Sequence, residues 1–200
     1  MRYVTINDGY SEFVISRSRF MSFAYHVESE EEVMQKVKML KKTYFDATHV
    51  CYAAIWDELG NMSRFSDDGE PSGTAGAPIM DVIKGANLKK CLVAVVRYFG
   101  GVKLGTGGLT RAYSQGALEA IASCKRIEYV LCDVYDCNID FASFRRISAI
   151  KGVGDVSYCQ DVSFTYSVKV GGDITHLIDK TNGKLKFVKR ELPCYKEIID

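Results

Sequence analysis

Apolar and polar positions divide this chain into two stretches with different grammar. Over residues 11–27, Phe13, Val14, Ile15, Phe20, Phe23 and Tyr25 give a β-type composition that Arg17 and Arg19 interrupt. That pattern predicts a hairpin or bent strand with one wet face. Ser29 and Glu32 then form an S-x-x-E capping box ahead of Val33, Val37, Leu40 and Tyr44, which recur at helical spacing. Residues 49–56 read as a buried strand, turned by Leu59-Gly60-Asn61. A helix is expected over residues 74–84, with Ile79, Val82 and Ile83 apolar and Pro78 in its first turns, where a missing N–H is tolerated. Residues 91–96 form a second buried strand. The next helix has an inner face of Leu109, Ala112, Tyr113, Gly116, Ala120 and Ile121.

From about residue 129 the pattern changes. A strand over 129–138 leads to Asp140, which caps a helix carrying Phe144, Ile147 and Ile150 and ending at Gly152. A short strand over 156–160 precedes the strict alternation of Val162, Phe164, Tyr166, Val168 and Val170. Asp173 opens a helix with Ile174, Leu177 and Ile178, stopped by Asn182-Gly183, and Leu185 and Phe187 mark a last strand. The order is β-α-β-β-α-β, that of a ferredoxin-like domain. The expected architecture is therefore α+β in two domains, residues 1–128 and 129–200.

Composition narrows the function. With 47% hydrophobic residues the chain has ample material for packed cores. A formal net charge of +1 is far below that of proteins that coat nucleic acid indiscriminately, so any such contact must come from local patches. No apolar run reaches the roughly 20 residues that span a bilayer. The first residues lack the apolar core of a signal peptide, so a cytoplasmic location without membrane association is expected. The seven cysteines sit mostly in apolar patterns with no C-x-x-C, which reads as buried, reduced thiols rather than zinc ligands.

The candidate chemistry lies in two loops. One is acidic, residues 64–76, with Asp67, Asp68 and Glu70 followed by Gly73 and Thr74. The other, residues 97–111, is glycine-dense, with Gly100, Gly101, Gly105, Gly107 and Gly108 among the cations Arg97, Lys103 and Arg111. Glycine loses more chain entropy on folding than any other residue, so this density implies positive φ, close backbone approach or a docked ligand. The strand–glycine loop–helix context suits a phosphate cradle. Residues 105–110 nearly match G-x-G-x-x-G, but Thr110 replaces the third glycine, and no Walker A sequence is present. The three carboxylates suit cation binding or general acid–base work, or more plainly helix capping and pairing with the glycine loop's cations. His49 and Cys51 share one strand face, as a Cys–His nucleophile would require, although simple burial is the better explanation in so cysteine-rich a chain. Ser114 echoes a nucleophile elbow, but inside a helix and without the first glycine. Basic pairs such as Arg145-Arg146 and Lys189-Arg190 become an RNA-facing surface if they share a sheet face with Phe187 or Tyr195.

Residues 65–76 and 95–113, with His49-Val-Cys51 and Ser18-Arg-Phe20, closely resemble the signature of the IMPACT family in its bacterial YigZ branch. The resemblance spans essentially the whole chain. It implies an N-terminal domain like domain IV of elongation factor G, a fold shared with a small-subunit ribosomal protein, and a ferredoxin-like C-terminal domain. It also implies a link to translation or RNA. Eukaryotic relatives restrain a translation kinase through an additional N-terminal module, so that partner is not carried over. Together these readings lead to the expectation of a non-catalytic, translation-associated protein without cofactor. It would bind RNA, the ribosome or a translation-related protein through Asp67, Asp68, Glu70, Gly73, Thr74, Arg97, Gly100, Gly101, Lys103, Gly105, Gly107, Gly108 and Arg111. The alternative is a peptidase-type hydrolase using the carboxylates or the His49/Cys51 pair.

Overall fold

The computed structural model describes residues 1–197 as a mixed α/β chain in two compact units. One unit is Tyr3–Glu128; the other is Met1–Arg2 with the chain from Tyr129 onward.

In the first unit, β1 (Arg2–Ile6) is followed by β2 (Gly9–Ile15) and β3 (Ser18–His26). The last two form the expected hairpin: Ile15 pairs with Ser18. Ser16 and Arg17 both adopt positive φ, 47° and 64°, as a two-residue turn matched to strand twist demands. Helix α1 (Glu30–Thr43) starts at Ser29, whose hydroxyl accepts the Glu32 N–H at 3.3 Å. The return arm of the box is displaced, since the Glu32 carboxylate accepts the N–H of Glu28 rather than of Ser29. Then come β4 (His49–Ile55), β5 (Ser63–Ser66), α2 (Gly76–Gly85), β6 (Cys91–Tyr98) and α3 (Gly105–Ala122).

These strands form a sheet of order β2-β3-β6-β4-β5 with antiparallel neighbours. α2 and α3 cover one face, packing Ile79, Ile83, Leu109, Ala117 and Tyr113 on Phe20, Ala53, Val93 and Val95. α1 covers the other, with Val33, Val37 and Leu40 on Val50, Tyr52, Ala94 and Val96. β4 and β6 are thus buried on both faces, which is why they read as continuous apolar runs instead of alternating.

The second unit contains most of β7 (Arg126–Ile139), then α4 (Phe141–Phe144), β8 (Val153–Tyr158), β9 (Val162–Lys169), α5 (Thr175–Lys180), β10 (Lys186–Lys189) and β11 (Cys194–Glu197). β10, β7, β9 and β8 lie side by side in that order, and β11 pairs with β7 at residues 129–132, away from the stretch that β10 occupies. The core gathers Cys137, Ile139, Phe144, Ile147, Phe164, Tyr166 and Leu177.

Three expectations are corrected. Asp140 caps a helix, accepting the Ser143 N–H at 2.9 Å, but the helix lasts only four residues. Ile147 and Ile150 instead pack from the turns that follow. β1, β5 and β11 were not read as strands from the sequence. Finally, Gly105, Gly107 and Gly108 belong to the first turns of α3, so the glycine loop is shorter than the sequence suggested.

Candidate functional site

The register of three strands builds the centre of the site. Phe20 on β3 and His49 on β4 are both Cα partners of Arg97 on β6. Directly opposed residues project from one face, so the three stand in a row on the side that α2 and α3 cover. Arg97 is 4% exposed. Its guanidinium donates to Glu70 Oε1 at 2.5 Å and to Ser18 Oγ at 3.3 Å, and lies 5.4 Å from the Phe20 ring and 5.5 Å from that of Phe99. Glu70 is 8% exposed, and Tyr113 on α3 donates its hydroxyl to the same carboxylate oxygen at 2.7 Å. The acidic loop and the strand entering the glycine loop, distant in sequence, are thus joined by a buried ion pair.

Each acidic residue has a separate task. Asp67 accepts the N–H groups of Gly76 at 2.8 Å and Ala75 at 3.0 Å with one oxygen, and that of Gly73 at 2.9 Å with the other. It therefore satisfies the start of α2, where orphan amides need an acceptor. Burial opposes its ionised form, but the bonds from Gly73, Gly76 and Ala75 outweigh it and hold the carboxyl below its ordinary value. Asp68, at φ 44°, accepts the Val50 N–H at 2.7 Å and pairs with Lys41 of α1. Thr74 closes the loop on itself, donating to the Pro71 carbonyl at 2.6 Å.

The Asp67 arrangement has a measurable consequence. A carboxyl whose folded pKa is depressed stabilises the fold above its unfolded pKa of about 3.9 and loses that contribution as pH falls through the folded value. Asp67→Ala should cost about 1.5–3 kcal/mol at neutral pH. In urea titrations the gap from the parent should narrow as the pH drops below the ordinary carboxylate range. A gap independent of pH would count against this role.

The Cys–His alternative meets a different geometry. His49 Nδ1–H donates to the Asp68 carbonyl at 2.8 Å, leaving Nε2 3.9 Å from Glu70 Oε2. Cys51 Sγ faces the Asp67 carbonyl at 3.0 Å and the Tyr113 hydroxyl at 3.4 Å. Burial pushes its thiol up to about 12, which opposes the thiolate that a cysteine nucleophile requires. Burial, with Cys51 and Glu70 beside it, likewise raises the Tyr113 phenol far above its usual range, keeping it a hydrogen-bond donor.

The expected cations therefore separate. Arg97 is enclosed and its charge is matched by Glu70, so the expectation that it faces a ligand is corrected. Lys103 and Arg111 are exposed, and neither has an ion-pair partner among the described residues. α3 opens with no side-chain cap, and Gly105, Thr106 and Gly107 are exposed. The Arg111 guanidinium reaches back over this turn, close to Gly107. Gly101 and Gly105 take φ 83° and 70°.

Sequence reasoning named Arg17, Ser18 and Tyr113 but gave none of them a part in this surface. Ser18 Oγ, besides meeting Arg97, accepts the Gly100 N–H at 3.2 Å. Arg17, at the hairpin tip, brings its backbone against Gly100 so closely that a Cβ there would overlap its carbonyl. Tyr113 reads as core from its helical position, yet a buried phenol needs a polar partner, and that requirement was the available signal.

The Impact N-terminal domain family matches residues 16–121, a span that contains Ser18, Glu70, Arg97 and Tyr113. IMPACT family member YvyE of Bacillus subtilis is 31% identical over 207 residues, covering 99% of this chain and 95% of that protein. IMPACT family member YigZ of Escherichia coli is 32% identical over 143 residues, 70% of each chain. A solved structure titled as that of a hypothetical protein superposes with a TM-score of 0.65 at 25% identity, covering 94% of this chain and 96% of that one. Matched by the family over residues 16–121 and by a relative along nearly its full length, the chain belongs to the IMPACT family.

Proposed function

We propose that this chain is a cytoplasmic, translation-associated protein that binds single-stranded RNA without chemically altering it. The ligand's phosphates lie against Lys103, Arg111 and the amino-terminal turn of α3. The carrying observation is the sorting of charge. Arg97 is neutralised inside by Glu70, while Lys103 and Arg111 stand exposed at a helix start whose amides no side chain caps. Such a turn carries partial positive charge and free donors that complement phosphate. Arg17 adds a third exposed cation at the neighbouring hairpin tip, and Phe99, 45% exposed, offers a ring on which a base can stack. Asp67, Asp68, Glu70, Gly73 and Thr74 shape the support beneath, and Gly100, Gly101, Gly105, Gly107 and Gly108 keep the backbone approachable.

Family membership supports the translation link, as it supports reading the first unit as like domain IV of elongation factor G. The strand order β10-β7-β9-β8 supports a ferredoxin-like second unit. The test is RNA binding by fluorescence anisotropy across a salt series. Lys103→Ala with Arg111→Ala should weaken binding at least tenfold and lower the salt slope by about 1–2. Unchanged RNA affinity, or capture of a ribosomal protein with no RNA binding, overturns the proposal. So does dipeptide turnover that Asp68→Asn abolishes while folding persists.

A further inference from the structure

Cys132 and Cys194 take no part in the site described above, yet they are direct Cα partners in the antiparallel pairing of β7 with β11. Side chains so opposed leave the sheet on the same face. Their Cα atoms are then about 4.5–5.5 Å apart, within the roughly 4.4–6.8 Å that a disulfide spans. Both are free thiols. Access differs between them: Cys132 is 5% exposed, while Cys194 is half-buried. Cys137, also on β7, faces Phe187 on one side and Phe164 on the other, so it has no opposed cysteine. The Cys132 thiol is raised first by burial and then by Cys194, while Lys196 and Lys169 act in the opposite sense. A buried, less readily ionised Cys132 suits the second step of a thiol–disulfide exchange rather than the first.

We propose that Cys132 and Cys194 form a reversible cross-strand dithiol–disulfide couple, oxidised by a low-molecular-weight disulfide such as glutathione disulfide. Cys194, the more accessible, gives its proton to solvent, and its thiolate attacks one glutathione sulfur and expels one glutathione thiolate. Cys132 then loses its proton, attacks the Cys194 sulfur of the mixed disulfide and expels the second glutathione. Two electrons and two protons leave the protein, one S–S bond forms, and one glutathione disulfide becomes two glutathiones. The bond adds a covalent tie between β11 (Cys194–Glu197) and β7, the strand it pairs with. Reduction removes that covalent tie. Compartments that keep thiols reduced use such pairs as transient sensors rather than permanent staples.

The experiment equilibrates the full chain with glutathione disulfide, alkylates the remaining thiols and maps the unreduced peptides by mass spectrometry. The expected product is a cross-linked pair of peptides containing Cys132 and Cys194, with the intact protein lighter by about 2 Da and restored by excess glutathione. Cys132→Ser should stop at a glutathione adduct on Cys194, while Cys159→Ser should oxidise like the parent. Hydrogen exchange over residues 194–197 should slow on oxidation. Separate adducts on Cys132 and Cys194 in the parent, or a cross-link through exposed Cys159, overturn the proposal. The same holds if Cys132→Ser still loses two thiols.

Discussion

Arg97→Met should destabilise the first unit by about 3–5 kcal/mol, because it leaves the Glu70 carboxylate buried without a counter-charge. Glu70→Leu should cost a similar amount, since it strands the guanidinium instead. Trp56, the single tryptophan of the chain, lies in this unit and can report unfolding by fluorescence. Combining the two substitutions should restore much of the loss, because removing both charges also removes their desolvation. Simple additivity in that cycle would show that the pair is not a coupled unit. Tyr113→Phe should fall well below either single change, as it deletes one donor while Arg97 continues to neutralise Glu70.

Gly100→Ala and Gly107→Ala should move stability in opposite directions. An added Cβ at Gly100 would drive into the Arg17 main chain, which cannot rotate aside as a flexible side chain can. Prising the hairpin tip from the glycine loop should cost about 3 kcal/mol, the upper end of the overpacking range. Gly107 lies inside α3, and the nearest atom to its added Cβ is an Arg111 nitrogen at 3.8 Å. Alanine there should raise stability by about 0.5–1 kcal/mol through helix propensity. Thermal melts of the two variants settle the signs. If Gly107→Ala is more stable yet binds RNA less tightly, that glycine serves close approach by the ligand. Undiminished binding by Gly107→Ala would confine its role to the fold.

Much of this was legible because the chain states it locally. Both inner strands announce themselves as unbroken apolar runs, and Ser29 sits where a helix needs an acceptor. Asp67, Asp68 and Glu70 were recognisable as a group, and pairing between Glu70 and Arg97 was among the expected outcomes. Hidden from sequence was the depth of that pair. Arginine at the end of a strand looks solvent-facing until strand register sets it between Phe20 and His49 under a loop from elsewhere. β5 was unreadable because Ser63 and Arg64 are exposed on an edge and carry no alternation, and β11 because only four residues mark it. The glycines of α3 misled for an energetic reason: local propensity argues against a helix there, and packing of Leu109, Ala112 and Tyr113 overrides it.

Because the Arg97–Glu70 pair is buried while Lys103 and Arg111 stand exposed, the charges that hold the fold and the charges proposed to meet RNA sit on different side chains. The outer two cations can be exchanged one at a time without unsettling the architecture beneath them. A scaffold wired this way can acquire a new binding preference by small surface steps, while its interior tolerates almost none.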